Sequence, residues 1–313
     1  MVSVRTADNA RETDDTMKTQ IPDQLKADVP QTTFGKILTA TPVVMAVVAT
    51  MLAGLSSSEM TRAQYDRSLA AQQQSKAGDQ WSFFQAKRLR ASLQHSTLDL
   101  LRATVAVRPL DPAALQDSGG AVDAVTLAAL QKGDLPPAGA PVLDTNVKVA
   151  LEAVEKSAPE SVVAALLAKV DDPVLVEAVR AARDMVSAFD ATLQPVNQAV
   201  DRLEKSLAAS APSLSRDFTA ARLRYHAARY DAEARLNQAV AGLYELQVRK
   251  NNLSAERHHR RSGHFFFGML AAQTGVIIST FAIAARQRNL LWLLAALAGL
   301  VAVSFAVYVY LRV

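Results

Sequence analysis

The chain predicts an all-α fold: three transmembrane helices, a long antiparallel helical stalk and a small helical cap. Three observations predict it. First, the segments 37–55, 265–285 and 290–311 are almost wholly apolar, and each approaches the ~20 residues a helix needs to cross a hydrocarbon core. Second, two long stretches without proline repeat apolar or small residues every seven positions. Third, no period-two run of Val, Ile or Thr bounded by turns signals a strand.

Taken in order, residues 1–36 are polar and mixed in charge, with few apolar residues in no period. They read as a disordered tail. The first span, 37–55, carries no charge. Ala53 and Gly54 would suit a cleavable signal, but the run is longer than a signal's apolar core and follows a long polar segment. Pro42 should bend this helix or mark its start. Residues 56–107 form the first stalk helix, with the track Ala63, Ala70, Ala77, Phe84, Ala91, Leu98 and Val105. Residues 213–264 form the second, with Phe218, Tyr225, Ala232, Ala239, Leu246 and Leu253. Repeats held this long mark helices packed along their length, and a helix of about fifty residues reaches about 75 Å. Between them, 108–212 opens with Pro109 and Asp111-Pro112 and includes Gly119-Gly120 and a Pro-rich turn before Pro141. Those are linker signals. Short amphipathic helices fit at 121–131, 146–157, 160–170 and 173–193, with Pro195 breaking or kinking the last before it resumes at 196–208.

Composition excludes some function classes. Lys and Arg exceed Asp and Glu by only four, too mild a surplus to argue for nucleic acid. The absence of cysteine removes thiolate catalysis and Cys metal sites. No phosphate-binding loop, dinucleotide fingerprint, HExxH or nucleophile elbow is present. The sequence therefore predicts no enzyme, no catalytic residue, no cofactor and no metal.

The densest aromatic cluster outside the spans is Trp81-Ser82-Phe83-Phe84-Gln85-Ala86-Lys87. Trp81, Phe84 and Lys87-Arg88 share one helical face. They read as a packed layer between stalk helices, or as a partner-binding patch, which aromatics and Arg suit. Arg257, His258, His259, Arg260, Arg261 and His264 lead into the second span. Three histidines invite a metal reading, but only Glu256 joins them at ligand spacing. An interfacial collar on anionic lipid headgroups is the plainer expectation. Inside the second span Gln273-Thr274 should face other helices. Gly268-x-x-x-Ala272, Ala271-x-x-x-Gly275-x-x-x-Ser279 and Ala295-x-x-x-Gly299 should allow close helix approach. Trp292, Tyr308 and Tyr310 fall near the ends of the third span, where interfacial aromatics gather.

Three spans put the N-terminus opposite the stalk. Near the span ends, Lys26, Lys36, Arg286 and Arg288 lie on the tail side, and Arg62, Arg67, Lys250, Arg257, Arg260, Arg261 and Arg312 on the stalk side. The excess predicts a cytoplasmic stalk.

Asp79-Gln80-Trp81-Ser82-Phe83-Phe84-Gln85-Ala86-Lys87 resembles the D-Q-W-x-(Y/F)-(Y/F)-Q-A-K signature of a bacterial membrane family, domain of unknown function 4337. His258-His259-Arg260-Arg261, then Gln273-Thr274-Gly275, the basic turn and Leu291-Trp292, are similar to that family's second and third spans. Thr274 departs from its usual Ile. The resemblance covers 37–107 and 215–311 and leaves 108–212 as an insertion. It implies no activity, but it implies that Trp81, Gln85, Lys87 and Gln273 form a shared structural or functional site, to which Phe84 belongs by position.

The expectation is an integral protein of the bacterial inner membrane with a structural or interaction role. It presents its stalk to copies of itself or to a membrane-protein partner. The alternative is an accessory or regulatory subunit of a transporter or channel, with Gln273 near the pathway.

Overall fold

The computed structural model describes residues 33–117, 122–139, 141–207, 212–284 and 288–312. Residues 1–32 of the tail expected at 1–36, Gly119-Gly120 and Arg286 lie outside the described residues, and residues 33–36 already belong to a helix. The described residues contain eight α-helices and no strand: α1 (Thr33–Thr104), α2 (Pro112–Asp117), α3 (Ala124–Lys132), α4 (Thr145–Glu155), α5 (Glu160–Leu167), α6 (Asp172–Leu207), α7 (Pro212–Ala284) and α8 (Arg288–Arg312). The all-α expectation holds. Three of these, α1, α7 and α8, are long and apolar enough to cross a membrane. Contacts divide the chain into two units, the first made of the residues before Ser57 and after Ser262, the second of Ser57–Ser262.

In the first unit the ends of α1 and α7 pack with α8 around small residues. Ala49 and Leu52 of α1, Ala272 of α7 and Ala302 of α8 form its core. A methyl group at Gly268 would lie 3.2 Å from the Ala302 carbonyl oxygen and from Leu52 Cδ1. At Gly275 it would collide with Met45 Cε, and it would lie 3.3 Å from the Ala295 oxygen. The small-residue tracks are therefore where the three helices approach most closely. Backbones can approach this closely only where the residues between them are small. At the other end of the same bundle Trp292 Nε1 donates to Thr41 Oγ1 at 3.1 Å. Helix α1 begins before Pro42 and runs through it.

In the second unit α7 is the central helix. From Asp231 to Lys250 only Arg235 and Gln238 are exposed. On one side α1 lies antiparallel to it. Glu59 meets His258, Trp81 meets Glu245, Lys87 meets Glu233, and Leu98 packs on Ala220 and Leu223. The expected track is buried at Ala63, Ala70, Ala77, Ala91 and Leu98. Val105 lies just past the end of α1 and is exposed.

On the other side α6 also runs antiparallel to α7. Lys250 pairs with Asp172 at 2.8 Å near the start of α6. Phe189 and Leu193 pack with Ala232 and Leu236, and Leu207 joins Phe218 at the end. This refines two expectations. The segment expected as a cap lies along the side of α7, because α6 buries its apolar face against that helix for its full length. Pro195 does not interrupt α6; it removes one N–H, and packing of Leu193 and Val196 holds the helix across the gap. Short helices fill the remaining flank. Asp123 Oδ1 accepts from Thr126 N at 2.7 Å and caps α3, which also lowers the carboxyl's pKa below its usual value. Asp144 caps α4 in the same way. Leu151 of α4 approaches Gly242 so closely that a methyl there would stand 2.9 Å from its Cδ1.

Candidate functional site

The surface of α7 that faces α1 is charged, although α7 is the most enclosed helix of its unit. Glu233 is only 8% exposed. It pairs with Lys87 from α1 and lies 3.3 Å from Arg229 Nε on its own helix. A carboxylate this buried needs such partners, since desolvation otherwise favours its neutral form. About three turns along α7, Trp81 Nε1 donates to Glu245 Oε1 at 2.7 Å, and the Trp81 and Phe84 rings meet edge to face at 5.4 Å. On the other side of Glu233, Asp231 accepts from Arg88 at 2.9 Å and lies 3.5 Å from His95 Nε2.

Tyr230 gathers three cations about its ring: Lys87 at 5.5 Å, Arg90 at 5.8 Å and Arg229 at 4.7 Å. Distances of this order suit cation–π attraction. Arg229 also donates to Asn197 Oδ1 of α6 at 2.6 Å, and Tyr225 donates to the same oxygen at 2.7 Å. Burial pushes the Tyr225 hydroxyl up to about 12, which keeps it a donor. A single polar network thus ties α1, α7 and α6 together.

Above this network α1 and α6 stand apart over α7 and leave a cleft of about 720 Å³. Gln80, Phe83, Lys87 and Arg90 form one wall, and Arg180, Arg183, Asp184 and Asp190 the other, with Glu233 and Asn237 in the floor. Arg90, Arg180 and Arg183 make no ion pair among the described residues. Burial raises the pKa of the Asp190 carboxyl, and Glu233 adds to the rise. The cleft can hold a polar group between guanidinium and carboxylate walls.

The predicted site residues separate. Trp81, Phe84 and Lys87 belong to the α1–α7 seam. Gln85 does not; it is exposed, because it is turned about 100° round the helix from Phe84. Gln273 belongs to the first unit, and there it corrects the expectation. It faces outward, while Ala272 and Gly275 on either side of it turn into the bundle. The small residues take the interior because only they allow the close approach seen there. The collar divides as well. Arg257, His259 and Arg260 are exposed, Arg260 pairing with Glu256 at 2.9 Å. His258 instead turns onto α1, with Nδ1 2.5 Å from Glu59 and Nε2 4.0 Å from Asp66. Arg261 Nε is buried. His264 packs on α8, edge to face with Tyr308 at 5.1 Å.

Sequence reasoning missed the second line of the seam. Glu59, Asp66, Gln73, Gln80, Lys87 and Gln94 are all partly buried. Their own seven-residue spacing was a usable signal, hidden by their polarity. Glu233, Glu245 and Arg229 gave no comparable signal.

The D-Q-W motif that carries the resemblance lies within this seam and cleft wall. Residues 35–122 match the family described as Domain of unknown function (DUF4337). The matched residues span nearly all of α1 and continue through α2. They extend past 107, where an insertion was expected to begin, and they leave 215–311 outside. No curated protein and no solved structure matches the chain.

Proposed function

We propose that this is a non-enzymatic interaction protein, anchored in the bacterial inner membrane by three helices, that presents Ser57–Ser262 to a protein partner. One observation carries the reading. Leu89, Leu93 and Leu100 are 72%, 61% and 65% exposed, and their spacing puts them on one face of α1, opposite the buried Ala91 and Leu98. Three leucines in line on the solvent side of a helix form the kind of patch that marks an interface. A photo-crosslinking residue at position 93, in cells, should give a discrete adduct that the same residue at exposed Gln72 does not. Equal labelling at both positions would sink the reading.

The distribution of Lys and Arg supports a cytoplasmic location for this unit. Alkaline phosphatase fused after Leu207 should then be inactive. Exposed Arg257, His259 and Arg260 are placed in this reading against anionic headgroups.

A second reading, an accessory subunit of a transporter or channel, is favoured by outward-facing Gln273. A Gln273→Leu strain should then lose an ion- or solute-dependent growth phenotype, and unchanged growth counts against it.

A further inference from the structure

The outward face of α7 in the first unit is not uniformly apolar. Phe266, Leu270, Gln273, Ile277, Thr280 and Ala284 are all exposed. Their spacing alternates four and three residues, which is the seam pattern of a left-handed helix pair. The polar groups on this line differ in how they are satisfied. Thr280 Oγ1 donates to the Val276 carbonyl at 2.8 Å, and neighbouring Thr274 donates to that of Leu270 at 2.9 Å. The Gln273 carboxamide makes no hydrogen bond among the described residues, and it lies near the middle of the apolar segment. Water is absent at that depth, so an amide left there alone is strongly disfavoured.

We propose that this face pairs with the same face of a second copy, Gln273 against Gln273. The proposal rests on the membrane-anchored reading above and names its partner. The group itself selects the partner. A carboxamide carries both donors and acceptors, so it is complementary to itself. Copies inserted in one orientation are related by a twofold axis along the membrane normal, which holds equivalent residues at equal depth. Gln273 of one copy therefore meets Gln273 of the other, and Phe266, Leu270 and Ile277 pack above and below. The amide pair sets the register, as a lone polar residue does in a coiled coil.

The chain has no cysteine, so a single introduced thiol reports on this face without background. In native membranes containing the full chain, Leu270→Cys or Ile277→Cys should form a disulfide-linked species of twice the chain mass upon oxidation. Leu297→Cys, exposed on α8, should not. Adding Gln273→Leu to Ile277→Cys should weaken dimerisation in detergent by roughly three- to tenfold, and Gln273→Asn should restore part of it. Equal cross-linking at 277 and 297, an adduct with a different protein, or no effect of Gln273→Leu would each overturn the proposal. Alkaline carbonate extraction of the same membranes separates the two failures. Release of the chain would sink the anchored reading itself, whereas a chain retained in the pellet without dimers sinks only the pairing.

Discussion

Glu233 shows what a single residue decides here. Its buried carboxylate depends on Lys87 and Arg229. Lys87→Met should cost about 2–4 kcal/mol, because it strips one partner from a buried charge. Lys87→Met with Glu233→Leu should recover most of that loss, measured by thermal melting of the full chain in detergent. His226 makes an independent prediction. Burial is the main reason its pKa falls to about 4, with Arg229 and Arg222 adding to it. The unfolded imidazole titrates near its ordinary 6.5, so the unfolded state binds the extra proton between those values. The neutral histidine's contribution is present above pH 6.5 and is lost as pH falls toward 4. A melting curve for His226→Phe should be flatter across that window.

For the elements, the question is how closely two helices approach. Ala77 is 1% exposed in the α1–α7 seam, and its small size sets the spacing there. Ala77→Leu should destabilise the second unit by about 1–3 kcal/mol through overpacking, read as a lower melting temperature. In the first unit Gly268→Leu meets backbone as well as side chain, so it should destabilise that unit more than Gly54→Leu, where open space surrounds the residue. Much of this was legible in sequence. The alanine track of α1 is buried where its period placed it, and Gly268, Gly275 and Gly299 sit at the contacts their spacing implied. The polar line from Glu59 to Gln94 was not read, because a hydrophobic period registers only apolar residues. The break that proline could make in α6 did not occur, because tertiary packing outweighed the low local helix propensity.

Across the whole molecule, α7 organises Ser57–Ser262 by being covered on both sides. Tyr225, Leu243 and Leu246 are fully buried, in clusters shared with α3–α6 and their flanking segments. Deleting 108–211 and joining the ends should uncover those residues. Stronger binding of a hydrophobic dye and faster proteolysis than in the intact chain are the expected readouts; a deletion variant that matches the intact chain in both would refute the central role of α7. The sequence by itself determined that the chain is helical, where the three membrane-length segments lie, and which small residues line them. Those features follow from local hydropathy and period, which each segment carries alone. Tertiary structure decided the rest: that α7 is central, that Lys87 and Trp81 find Glu233 and Glu245, and that Gln273 faces outward. Each depends on the rotation and axial shift of one helix against another, which is set by contacts between residues far apart in the chain.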